Sequence, residues 1–164
     1  MVLPETRTCS AAALVLLVTS TTLLGAYAFQ YIGGYEPCAL CYRQRIPYYV
    51  IVPLTALLMA LCAQGGKERL VRFGLVAGAL IMLASAGLGF HHSGVEWGWW
   101  PGPDECSGGA GLSTGSVLPD LSKARVVSCT DAQWRMFGLS FAGWNGVISL
   151  VAAAIALWGA RRPA

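Results

Sequence analysis

Four stretches of this chain carry no Asp, Glu, Lys or Arg: residues 8–35, 46–66, 73–95 and 136–160, which are 28, 21, 23 and 25 residues long. A helix needs about 20 residues to cross a ~30 Å hydrocarbon layer, so each stretch can span one. Lipid supplies no partner for backbone N–H and C=O groups, so each span must satisfy its own as a helix. A β-barrel would need strands of alternating polarity, and the Leu/Ala run at 56–63 does not alternate. The expected fold class is therefore all-α integral membrane: a four-transmembrane-helix bundle forming one domain over residues 1–164. Its spans are expected at about 11–29, 46–62, 73–90 and 142–158, with outer loops at about 30–45 and 91–141. Composition agrees. Only 12% of residues are charged, against about 25% in soluble domains, while 55% are hydrophobic. That excludes an ordinary soluble domain and a disordered chain. A formal net charge of +3, with its basic residues spread thinly, argues against a nucleic-acid partner.

The loops set an orientation. Arg7, Lys67, Arg69, Arg72, Arg161 and Arg162 fall on one side, with Glu5 and Glu68. The other side holds Arg43, Arg45, Lys123, Arg125 and Arg135 against Glu36, Glu96, Asp104, Glu105, Asp120 and Asp131. The first side is the expected cytoplasmic one, with both termini, although Arg43 and Arg45 then lie beside the membrane on the less favoured face. Ala26-Tyr27-Ala28 resembles a signal-peptidase site, but the preceding apolar stretch is long for a signal peptide and an uncleaved span is expected.

This topology sorts the six cysteines. Cys38 and Cys41 fall in the first outer loop, and Cys106 and Cys129 in the second. Cys9 and Cys62 sit at inner helix ends, where the expectation is two small hydrophobes. Cys38-Ala39-Leu40-Cys41 is a C-x-x-C. A second C-x-x-C, which a zinc ribbon would want, does not follow, so no metal centre is expected. A staple over so short a loop restrains little chain entropy. A redox role fits better. Cys41 opens the second span, where unsatisfied N–H groups and the helix dipole favour a thiolate. Arg45 follows on the same helical face at i+4, placed to meet an oxygen that becomes anionic during electron transfer. Pro47 fits a first helical turn, while Pro53 is expected to kink the span and open a crevice.

The second outer loop is long, and long loops tend to be functional. Trp97, Trp99 and Trp100 read as an interfacial aromatic cluster. Gly108, Gly109, Gly111 and Gly115 make a flexible stretch after Cys106, and residues 117–127 read as a short interfacial helix. A flexible cysteine near a rigid C-x-x-C suits a disulfide relay. His91 and His92 close the third span.

Taken together, four spans, Pro37-Cys38-Ala39-Leu40-Cys41-Tyr42-Arg43-Gln44-Arg45, His91-His92-Ser93-Gly94-Val95-Glu96-Trp97 and the Cys106/Cys129 pair resemble the disulfide bond formation protein B (DsbB) family over nearly the whole chain. The vitamin K epoxide reductase family places its loop pair before the C-x-x-C and fits less well. The resemblance implies an inner-membrane protein-disulfide oxidoreductase with two periplasmic loops. Such an enzyme re-oxidises a periplasmic thioredoxin-fold dithiol protein (DsbA-like) and reduces a membrane quinone, ubiquinone or menaquinone. By the same resemblance Cys106 is attacked by the partner's thiolate, and electrons reach Cys38/Cys41 through Cys129. Cys41 then meets the quinone, Arg45 steadies its reduced or charge-transfer form, and the quinone-side histidine is His91 or His92, with His92, one place before Ser93-Gly94-Val95, the favoured one.

The DsbA–DsbB–quinone system is itself the standing example of this logic: its dithiol partner lies near −120 mV, and glutathione at about −180 mV cannot oxidise it. The 60 mV gap opposes a two-electron transfer by about 2.8 kcal/mol, an obstacle that a lipid-soluble acceptor of higher potential beside Cys41 removes. The competing reading is a structural scaffold with static loop disulfides. A transporter finds little support, because the spans carry no ionisable residue away from the membrane edges.

Overall fold

The computed structural model describes residues 4–65, 68–103 and 127–161, with side chains from residue 7. Four long helices lie in chain order: α1 (Pro4–Tyr31), α2 (Ala39–Ala63), α3 (Glu68–Glu96) and α4 (Phe141–Ala160). All four are long and apolar enough to cross a membrane. Between α3 and α4 lies a two-stranded hairpin, β1 (Arg135–Met136) and β2 (Leu139–Ser140), which the all-α expectation does not include. Phe137 and Gly138 both take positive φ, 52° and 82°, the two-residue turn that matches the twist of a tight hairpin. Ser140, last in β2, then caps α4 by accepting the Gly143 N–H at 3.2 Å.

The helices run longer than the charge-free stretches suggest. α2 begins at Ala39, so Pro47 sits in the helix interior rather than in a first turn, and the helix continues through both Pro47 and Pro53. α3 runs to Glu96, so both histidines are helical.

Small residues let the helices approach. A Cβ at Gly89 would stand 2.7 Å from the Gly146 backbone nitrogen and 2.9 Å from the Ala142 carbonyl oxygen, so α3 and α4 meet almost backbone to backbone. Gly159 likewise admits Ala11 of α1. Such close approach is how helices associate where lipid removes most of the hydrophobic drive. Large apolar side chains such as Leu17, Leu24, Phe73 and Leu80 point outward, as lipid permits. Ile51, Leu75, Met82 and Val15 fill the interior.

Apart from the Ser93 hydroxyl and Arg7 Nε, buried polar side-chain atoms among the described residues are satisfied locally or across helices. Thr19, Thr21 and Thr22 return their hydroxyls to carbonyls one turn back. Tyr48 meets Ser149 at 3.1 Å, and Ser149 donates to Ser85 at 2.9 Å. At one end of the bundle, Arg7 donates to the Arg161 carbonyl and Arg72 donates to the Ala160 carbonyl at 3.0 Å. Cys9 and Cys62 meet at this end in a disulfide linking α1 to α2. This corrects the expectation of two independent small hydrophobes: the antiparallel pairing of α1 and α2 brings 53 residues of sequence separation down to 5.9 Å between Cα atoms.

Candidate active site

At the other end, the chain leaves α1, passes Pro37 and enters α2 through Cys38. Cys38 is the N-cap: its backbone is extended (φ −76°, ψ 174°) and its sulfur accepts the Cys41 N–H at 3.3 Å. A cysteine in a position that usually holds Ser or Asp places a sulfur where the orphan helix N–H groups favour negative charge. Cys41 lies one turn in. The two are free thiols with sulfurs 2.9 Å apart.

Cys38 is buried and Cys41 half-buried. The Cys41 thiol beside it, more than any other influence, holds Cys38 down to about 4 against the desolvation that would raise it; His92 and the Cys41 N–H add to the lowering. These contacts, the Cys41 thiol foremost, favour a thiolate at Cys38, whereas the sequence spacing alone directs attention to Cys41.

His92 reaches over from α3. Its Nε2 lies 3.7 Å from the Cys38 sulfur and 3.9 Å from a Glu96 carboxylate oxygen. Its Nδ1 lies 2.6 Å from Gln44 Nε2, and Asn145 of α4 donates to Gln44 Oε1 at 2.7 Å. The donor atoms of Cys38, Cys41 and His92 fall within 4.8 Å of one another, a set that a thiophilic cation could use. Two thiolates around tetrahedral zinc, at about 2.3 Å each, stand about 3.8 Å apart. The observed 2.9 Å is closer to the bonding distance of a disulfide. This spacing favours sulfur–sulfur exchange.

Cys41 also lines a cavity of about 440 Å³ between α1, α2 and the start of α4. Aromatic rings form much of its wall: Phe29, Tyr35, Trp134 and Phe141 pack against one another with centroids 4.7–6.0 Å apart. Glu36 also lines the cavity, and Arg45 supplies the positive charge. Its guanidinium donates to Gln30 Oε1 at 2.6 Å and Ala26 O at 3.5 Å, and faces the rings of Tyr27 and Tyr42. It is only 9% exposed, and among the described residues no carboxylate forms an ion pair with it. A buried cation held by neutral acceptors and facing a cavity favours a ligand oxygen that gains negative charge. The aromatic slot and single cation suit a flat ring that carries such an oxygen. Pro53 does not line the cavity, which lies nearer the helix start, among residues up to Tyr48.

Cys129 is disulfide-bonded and packs in one buried cluster with Cys38, Leu40 and Val95. Cys106, the glycines at 108–115 and residues 117–126 lie outside the described residues. Gln133 donates to the Glu36 carbonyl at 2.8 Å, fastening the segment after Cys129 to the first loop. Trp97, Trp99 and Trp100 cluster as the sequence suggests, and His91 stacks on Trp100 at 5.6 Å rather than entering the site.

Sequence reasoning missed Gln44, Glu96, Trp134 and Asn145. Asn145 alone left a signal: it is the chain's only asparagine and lies within the fourth charge-free stretch, where a strongly polar residue asks for a reason.

Comparison with known proteins places this geometry. The family model described as "Disulfide bond formation protein DsbB" matches residues 7–159. A disulfide bond formation protein B of Methylococcus capsulatus is 30% identical, covering 99% of this chain and 100% of the relative. One from Marinobacter nauticus is 29% identical, covering 82% of this chain and 80% of its own. No solved structure matches. A multi-pass chain with a C-x-x-C sealed at the mouth of its bundle, matched along almost its entire length, belongs to the DsbB family of disulfide bond formation proteins.

Proposed function

We propose that this protein is a quinone-reducing protein-disulfide oxidoreductase. It takes two electrons and two protons from a periplasmic, DsbA-like thioredoxin-fold dithiol and delivers them to ubiquinone or menaquinone. The observation that carries the reading is the placement of the two C-x-x-C sulfurs. Cys41 opens onto the aromatic cavity that Arg45 charges, while Cys38 packs with Cys129.

The roles follow from that placement. Cys106 takes the partner's thiolate and releases Cys129. Cys129, beside Cys38, exchanges with the Cys38–Cys41 disulfide and frees Cys41 toward the cavity. The partner's second thiol closes the partner's own disulfide and frees Cys106, which attacks Cys129 and restores the Cys106–Cys129 bond. Cys38, favoured as a thiolate, is the leaving group of that step and rejoins Cys41 as the electron pair passes on. Arg45 holds the ligand oxygen that gains charge, and His92 sits behind Cys38 rather than in the cavity wall. A quinone bound there accepts the electron pair and two protons on becoming a quinol. The surplus of Lys and Arg at the Arg7, Arg72 and Arg161 end supports cytoplasmic termini in a bacterial inner membrane.

The test is quinone reduction by the purified protein with a reduced thioredoxin-fold partner. Cys41→Ser is expected to abolish it; unchanged turnover overturns the reading. Thiol trapping with and without quinone distinguishes the static scaffold, whose disulfides would ignore the quinone pool.

A further inference from the structure

Two side chains with no charge and no redox chemistry are tied to the C-x-x-C through His92. Gln44 stands one helical turn below Cys41 and is buried; Asn145 reaches it from α4. An amide has distinct donor and acceptor ends, and a neutral imidazole has one nitrogen of each kind. A chain of such groups therefore has a direction, fixed by whichever member is fixed first.

Here the direction can be followed. Asn145 donates from Nδ2 to Gln44 Oε1, at 2.7 Å. Gln44 must then present Nε2, a donor, to His92 Nδ1, at 2.6 Å. Nδ1 accepts, so the imidazole proton resides on Nε2, the nitrogen 3.7 Å from the Cys38 sulfur. We infer that Asn145 and Gln44 are positioning residues that hold His92 as its Nε2–H tautomer, aimed so that it donates to Cys38. This rests on the reading of Cys38 and Cys41 as the redox pair, and it adds what orients their histidine.

The reverse arrangement shows what is at stake. With Gln44 turned over, Nδ1 would carry the proton and Nε2 would offer Cys38 a lone pair. That favours the thiol over the thiolate and removes the histidine's support from the sulfur that must leave and return. The titratable groups facing Cys38 are Cys41 on α2 and His92 with Glu96 on α3; Cys129, packed beside it, is already bonded. Glu96, 3.9 Å from the same Nε2, favours the proton there too but lies beyond hydrogen-bond distance, so the 2.6 Å contact with Gln44 sets the tautomer.

Histidine nitrogen NMR tests this on the full chain, reduced, in detergent micelles. The chain has two histidines, so ¹⁵N-histidine labelling gives two rings, and His91→Gln assigns them. Wild-type His92 is expected to be protonated on Nε2. A proton on Nδ1 overturns the inference without any variant. Asn145→Asp is nearly isosteric and offers Gln44 only acceptors, so it should turn the amide and move the His92 proton to Nδ1. The equilibrium constant of the Cys38–Cys41 pair against a thiol–disulfide buffer at pH 7, read by peptide mass, should then shift about tenfold toward the disulfide, the size of one hydrogen bond to a charged group. Asn145→Ala frees the amide without adding charge and should give mixed tautomers with a smaller shift. A purely structural Asn145 would leave tautomer and equilibrium constant unchanged in both folded variants, which overturns the inference. Wild-type quinone turnover in the same preparation reads the proposed function separately: its loss with the tautomer intact would sink the oxidase reading and leave the amide relay standing.

Discussion

Removing His92 should make the Cys38–Cys41 disulfide a weaker oxidant. The disulfide does not titrate, so the protein tunes the couple through the dithiol. Cys38 is held down to about 4, chiefly by the Cys41 thiol and with help from His92. The sign follows from that. The dithiol form gains stability, as Cys38 thiolate, at pH values above the depressed pKa, and the gain is lost as pH falls through about 4. A hydrogen bond to a charged group contributes about 1.5–3 kcal/mol. Nε2 is 3.7 Å from a sulfur, a weak acceptor, so the lower end applies. His92→Ala should therefore raise the Cys38 pKa by about one unit, and at pH 7 lower the potential of the pair by about 30 mV. A second consequence needs no mutation. Between pH 5 and 8 the dithiol carries one proton per electron pair, so the wild-type potential should fall about 30 mV per pH unit rather than the ~59 mV of two protonated thiols. The assay equilibrates full-length protein with thiol–disulfide buffers across that range, quenches with acid, tags free thiols and reads the Cys38–Cys41 peptide by mass. A His92→Ala potential equal to or above wild type, or a ~59 mV wild-type slope, would refute the reasoning.

Three further perturbations probe the frame around the pair. Gly89→Ala forces a Cβ into the α4 backbone and should cost about 1–3 kcal/mol, seen as a lower thermal midpoint of helical circular dichroism. Gly25→Ala, with nothing within 4 Å, is the control and should not lower it. Cys9→Ser opens the Cys9–Cys62 link and should lower resistance to denaturing detergent, with about 4 kcal/mol as the ceiling for a loop of 53 residues. Quinone turnover should survive, since the link lies at the opposite end from Cys38, and loss of turnover in folded protein would refute that separation. Arg45→Ala should raise the apparent quinone KM about tenfold, from one lost charge-assisted contact, and leave the partner's KM within about twofold. Equal losses in both would reduce Arg45 to an interfacial anchor.

How much of this was legible in the sequence depends on the range of the physics involved. Charge-free runs report on the solvent, so the four helices could be read from counts alone, and a C-x-x-C followed at i+4 by Arg45 is a local pattern on one helix. What escaped is relational. Which of Cys38 and Cys41 becomes the N-cap depends on the residue at which α2 begins, and helix boundaries are the least secure part of sequence reading. Pro47 was misplaced for the same reason: a helix starting at Ala39 puts it in the interior. Cys9 and Cys62 looked like unrelated small residues because their meeting depends on how α1 lies along α2. The hairpin at 135–140 had only a Phe-Gly turn to announce it, and Phe is not a residue that suggests positive φ.

The two sulfurs of the C-x-x-C divide the work because one turn of helix turns them to different surroundings. Cys38, as cap, is held among Val95, Cys129 and His92. Cys41, three residues on, faces the cavity with Arg45 and the aromatic rings. Under the proposed function, were both sulfurs in the cavity, the Cys129 thiolate would have to enter it to exchange; were neither, electrons would have no outlet to lipid. Gln44 stands at the boundary, lining the cavity on one side and binding His92 on the other. A ligand in the cavity that competed for the Gln44 or Asn145 amide would therefore act on Cys38 through His92. By this route the occupancy of one surface can alter the reactivity of the sulfur on the other without any movement of the helices.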